Sequence, residues 1–123
     1  MKDKLSNSKS VIFLCEHESQ GLAYQQILST GTPILAWERG GYWQDPYYYP
    51  EKVKFKPVSA VPYWDNRCGV KFTSADDFDK QLQAFLTGLS GFNPRSYIMK
   101  NLTLEVCAKK YLEIYREVEK EIT

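Results

Sequence analysis

The chain has one histidine, and its three cysteines, Cys15, Cys68 and Cys107, are odd in number and far apart. A structural zinc site draws its ligands from closely spaced Cys and His pairs, so the residues give no basis for a metal centre. No Cys-x-x-Cys pair occurs, and the thiols read as reduced in a cytoplasmic protein, either free or peripheral to the inner face of a membrane. Charge of one sign is also lacking. The formal net charge is +1, with 16 Lys and Arg against 15 Asp and Glu, so no electrostatic footprint for a nucleic-acid partner is visible. Long apolar runs are missing too. Val11 to Cys15 is too short for the apolar core of a signal peptide, and nothing approaches membrane-spanning length. There is no internal repeat and no low-complexity tract. What remains is 123 residues, 43% of them hydrophobic, enough for one core and one domain.

The chain is organised around Val11 to Trp37. Val11 to Cys15, apolar and β-branched, has the pattern of a strand covered on both faces. Glu16 to Ser19 breaks the run, and Ser19 is suited to cap a helix by accepting backbone N–H groups. Leu22, Ala23, Ile27 and Leu28 then fall on one helical face, and Gly31 can end the helix in the left-handed conformation. Pro33 fits the start of a second strand, Ile34 to Trp37. The result is a βαβ unit with a right-handed crossover as the default.

Met1 to Ser10 reads as the end of a helix or a frayed start. From Glu38 to Asn66 both periods vanish, while Pro and Gly punctuate the segment and Tyr42, Trp43, Tyr47, Tyr48, Tyr49, Phe55, Tyr63 and Trp64 crowd it. Val53-Lys54-Phe55 alternates like a short strand. These aromatics suit a platform for sugar rings, or else a plug on the side of an open sheet. Cys68 to Phe72 reads as the next strand. Ser74 with Asp77 then has the form of a capping box before a helix with the stripe Phe78, Leu82, Phe85, Leu86 and Leu89. Asn93-Pro94 restarts a short helix anchored by Tyr97, Ile98 and Met99. Thr103 caps the last helix, whose stripe is Leu104, Cys107, Ala108, Tyr111, Leu112, Ile114, Tyr115, Val118 and Ile122. The fold class is therefore α/β, a partial Rossmann-like parallel sheet of three or four strands with flanking helices.

Glu18-Ser-x-Gly21-Leu22, a helix, and Gly31-Thr32-Pro33-Ile34-Leu35-Ala36 resemble the donor-binding signature of retaining glycosyltransferases of the GT-B fold, the group 1 or family 4 class. The usual pattern is Glu, seven residues, Glu, closed by Ala-Met-Ala-x-Gly-Thr-Pro-Val. The first Glu falls on Glu18, and the second falls on Gln26. The resemblance starts near residue 5 and runs through the last helix, which in the fold crosses back to the N-terminal domain. It implies that residues 1–123 are the C-terminal portion of a nucleotide-sugar-binding donor domain, without the acceptor domain and the upstream half.

The resemblance implies the following roles. Gly21 and Leu22 offer their amides to the diphosphate of a nucleotide-sugar donor. Glu18, with His17 beside it, meets the donor sugar, and Gln26 meets the ribose. No cofactor and no metal is implied. Gln26 supplies one acceptor oxygen where a carboxylate would grip two vicinal hydroxyls, which weakens ribose binding by on the order of 1 kcal/mol. The basic residues that neutralise the diphosphate lie earlier in the family's domain, so activity is expected only from a larger or two-chain enzyme. The expected partners are the donor, and either a complementary acceptor-domain chain or a second copy. Read without the resemblance, Glu18 is a surface acid favoured by a helix dipole, Gly21 a turn-former, His17, Glu16 and Glu38 solvated side chains, and Arg39 an ion-pair partner. On that reading the chain is a non-catalytic α/β binding or assembly module, a degenerate relative, or an unrelated regulatory domain that shares only βαβ geometry.

Overall fold

The computed structural model describes residues 2–42 and 57–123. A short helix α1 (Lys2–Ser6) leads into strand β1 (Val11–Phe13). Helix α2 (Leu22–Ser29) connects it to β2 (Ile34–Trp37), and the next described strand is β3 (Gly69–Phe72). Helix α3 (Ala75–Thr87), a short 3-10 turn at Leu89–Gly91, α4 (Pro94–Asn101) and α5 (Leu104–Ile122) complete the chain. The three strands are parallel in the order β1-β2-β3, with Val11 opposite Ile34 and Ile34 opposite Gly69. The chain is thus α/β, with a small parallel sheet flanked by helices; a fourth strand is not present among the described residues. The strand read at Val53-Lys54-Phe55, and the aromatics from Trp43 to Phe55, lie outside the described residues.

Alternation along β2 divides the core into two layers. Ile34 and Ala36 face a cluster made with Tyr24, Ile27 and Leu28 of α2, Val61, Cys68 and Tyr97. Leu35 faces the other side, with Phe72 and Phe85, and Trp37, Val70, Phe78, Leu82, Leu89 and Phe92 pack around them. Ile34, Leu35 and Ala36 are all fully buried, as a central parallel strand requires. β1 differs from its expected pattern. It is shorter, and only Val11 and Phe13 pack inward, on the α2 side. Ile12 and Leu14 are 49% and 69% exposed, because β1 is an edge strand and α3, the helix on that side of the sheet, packs on β3.

Local signals set the helix ends. Ser74 and Asp77 form the capping box read from the sequence, with the Ser74 side chain accepting from the Asp76 amide and the Asp77 carboxylate accepting from the Ser74 amide at 2.8 Å. Asn93 and Thr103 cap α4 and α5 through the amides of Ser96 and Val106, both at 3.2 Å. Gly31 takes φ 83 after α2, as its position predicts. Two expected faces need correcting. α2 starts two residues later than a Ser19 cap implies, and Tyr24, Ile27 and Leu28 face inward while Leu22 and Ala23 are exposed. Leu86 and Met99 are also about half exposed, at 49% and 54%.

α4 packs on α2 and carries α5 away from the core. Every residue of α5 beyond Val106 is exposed, so the helix presents its apolar stripe to solvent rather than covering its own sheet. No helix among the described residues is long and apolar enough to cross a membrane.

Candidate functional site

Parallel sheets bind ligands beyond the carboxyl ends of their strands, where loops and helix N-termini converge. Here that edge is formed by the loop after Phe13, the turn after Trp37, and Thr73 and Ser74. The first loop carries Cys15, Glu16, His17 and Glu18 and ends at Gly21, the N-cap of α2, with φ 77 and ψ 49. That left-handed conformation suits glycine, and a Cβ at Gly21 would run into the ring of the buried Tyr24. Gly21 has no side chain to cap α2, so the first amides of the helix lack a cap hydrogen bond.

Tyr24 holds this corner together. Its hydroxyl donates to the Tyr63 carbonyl at 3.1 Å and accepts from the Tyr63 amide at 2.8 Å. Burial pushes its phenol up to about 12, so it remains a donor throughout the physiological range. Ser59 ties the next layer. Its carbonyl accepts from the Glu18 amide at 2.9 Å, and its hydroxyl donates to Glu38 at 2.5 Å while accepting from the Val61 amide. Glu38 also accepts from the Ala60 amide at 3.0 Å and from Lys71 Nζ at 3.2 Å. Burial alone would raise the Glu38 carboxyl, but these donors outweigh it and hold it below the usual carboxylate range. Glu38 is therefore an anchored carboxylate, correcting its reading as solvated. Glu16 pairs with Arg39 at 3.1 Å, as a surface ion pair.

The residues singled out in the sequence meet at this edge in two groups. Leu22 and Gln26 lie on one side of the first turns of α2, with Leu22 66% exposed and Gln26 also open to solvent, whereas Gly21 at the N-cap is buried against Tyr24. Leu22 and Gln26 share that side because they are four residues apart. His17 and Glu18 are half-buried on the loop, where the Cys15 thiol lies 3.3 Å from the His17 carbonyl and 3.6 Å from Glu18 Oε1. Partial burial, together with the Glu18 carboxylate, holds that thiol above its ordinary value. Glu38, Ser59, Lys71 and Tyr24 were missed. The one usable signal was a carboxylate immediately following a wholly apolar strand, which in a parallel sheet lands at the ligand edge.

Beside the start of α2 lies a groove of about 380 Å³, lined by Gln20, Gln25, Tyr63, Tyr97, Lys110 and Tyr111. Of the expected aromatic platform, Tyr63 stands here with its ring exposed, whereas Trp64 packs against the α2-side core, as a plug would. Among the described residues no group of three or more His, Cys, Asp and Glu is placed to hold a metal ion. No protein-family model, curated protein or solved structure matches the chain.

Proposed function

We propose that the chain is the donor-side portion of a GT-B glycosyltransferase of the group 1 or family 4 class, which moves a sugar from a nucleotide-diphosphate donor to an acceptor with retention. The observation that carries this reading is the start of α2. A left-handed glycine, kept free of a Cβ by a buried ring, starts a helix with no side-chain cap at the carboxyl edge of a parallel sheet. Such a terminus carries about half a positive charge and unpaired N–H groups, which suit a diphosphate. Glu18 and His17 stand on the adjoining loop for the donor sugar, and Gln26 lies one turn along the same side as Leu22 for the ribose. The nearest cations in the described edge, Lys71 and Arg39, are engaged with Glu38 and Glu16. Charge to stabilise a departing diphosphate must then come from elsewhere, which is why the upstream half of the donor domain, in a larger or complementary chain, belongs to the proposal.

A second reading, a non-catalytic assembly module, is favoured by the exposed stripe of α5. Titration of the chain with UDP, GDP and their sugars, followed by NMR shifts, separates the two. The transferase reading expects saturable binding, lost in Glu18→Ala and strengthened in Gln26→Glu. A folded sample that binds none of them at millimolar ligand, with and without the upstream half supplied in trans, would sink it.

A further inference from the structure

Two apolar surfaces among the described residues face solvent. The first is the outer side of α5. Leu104, Ala108, Tyr111, Tyr115, Val118 and Ile122 follow a four-three spacing that keeps one straight stripe over 19 residues. Its early part leans on the body, where Tyr111 and Ile114 line the groove against α4. Leu112, Tyr115, Val118 and Ile122 are 53%, 65%, 46% and 78% exposed. The second surface is the side of the sheet opposite α2. There Ile12 and Leu14 of the β1 edge belong to neither packed cluster. Leu14 instead borders an apolar cleft of about 510 Å³ with Trp37, Phe72, Ala75 and Phe78.

We propose that the chain forms a two-fold dimer in which α5 of each copy lies across the open side of β1 in the other. A parallel strand is stable when helices cover both faces, and β1 is covered on one. The chain's own α5 cannot supply the missing cover. It leaves α4 through Leu102 and Thr103, and Tyr97, Ile98 and Leu102 are packed on the α2 side of the sheet, away from Ile12 and Leu14. A helix of 19 residues is rigid and about 28 Å long, so it projects to where a second molecule can meet it. The exchange repeats the contact. Four side chains from α5 and two from β1, each with on the order of 100 Å² of exposed apolar surface, give about 1,200 Å² for the pair, the lower end of the range for a stable interface. This dimer does not rest on the transferase reading, and nucleotide-sugar binding has no bearing on its test.

Sedimentation equilibrium of the full chain over a wide concentration range reads the dimer directly. Tyr115→Glu and Leu14→Lys, both at exposed positions, are each expected to weaken it by about tenfold or more while leaving circular dichroism unchanged. Mixing the two variants is the decisive step. One intact α5 then meets one intact β1 face, and the altered pair sets Glu against Lys, so the heterodimer forms more tightly than either variant alone. A chain that stays monomeric at every concentration overturns the proposal. So does a dimer indifferent to Leu14→Lys, which means that α5 pairs with α5, or a mixture that forms no heterodimer. If either variant loses its folded signal, Ile122→Glu and Ile12→Lys run the same test at neighbouring exposed positions.

Discussion

Replacing Gly21 with Ala tests the corner on which the candidate site is built, and Gly31→Ala supplies the control. Both glycines are left-handed, with φ 77 and φ 83, so both substitutions carry the cost of putting a Cβ into that conformation, roughly 1–2 kcal/mol. At Gly31 there is nothing within 4 Å of the new Cβ, and the cost ends there. At Gly21 the Cβ runs into the Tyr24 ring. That ring cannot swing aside freely. It is fully buried, sits 5.9 Å from the Phe13 ring, and is bonded twice to the Tyr63 backbone. Overpacking of this kind costs about 1–3 kcal/mol, and loosening either hydrogen bond adds about 1 kcal/mol. Gly21→Ala should therefore destabilise by roughly 3–6 kcal/mol, a large share of the ~5–15 kcal/mol that holds a domain together. Urea denaturation measures both variants, the midpoint giving the loss at unchanged slope. Equal midpoints for Gly21→Ala and Gly31→Ala would refute the claim that Tyr24 fixes the glycine.

Three further predictions follow from neighbouring contacts. Tyr24→Phe keeps the ring but leaves the Tyr63 amide and carbonyl without their partner, and should cost about 1–3 kcal/mol in the same assay. Glu38 has its carboxyl lowered on folding, so its contribution is complete above the ordinary carboxylate range and is lost as pH falls through the depressed value. Glu38→Gln should accordingly flatten the acid side of the stability–pH curve, and an unchanged acid limb would count against the Ser59, Ala60 and Lys71 bonds. Ser74→Ala removes the cap of α3 and should lower stability by about 1 kcal/mol, read from the urea midpoint.

Much of the fold was legible because local rules govern it. Ser74 with Asp77, Asn93-Pro94, Thr103 and Gly31 each carry their own geometry in a few residues, and each stands where its chemistry directs. Tyr24 was missed for a local reason as well. Tyr24 stands three and four residues before Ile27 and Leu28, a spacing that fits their face as well as that of Ala23 does, so periodicity alone did not choose between them. Glu38 was illegible for a different reason. Its partners Ser59 and Ala60 lie 21 and 22 residues away in a stretch with no period, so nothing short-range announces them. The stripe of α5 was plain in the sequence, but periodicity names the face that seeks cover and not the surface that covers it. Likewise the exposure of Ile12 and Leu14 depends on β1 being an edge, which an apolar run cannot reveal.

The Tyr24 hydroxyl reaches across 39 residues of sequence, and β2 pairs with β3 only after the whole connection between them has closed. Closing such a loop is an entropic toll that grows with the logarithm of its length, so doubling the connection costs only about 0.6 kcal/mol. Folding speed is more exposed than stability, because no sheet contact in this chain can form before its loop is paid for in lost freedom. The stretch between Trp37 and Gly69 is thus a place where added sequence would slow the search for the native state while scarcely altering how long that state, once reached, survives.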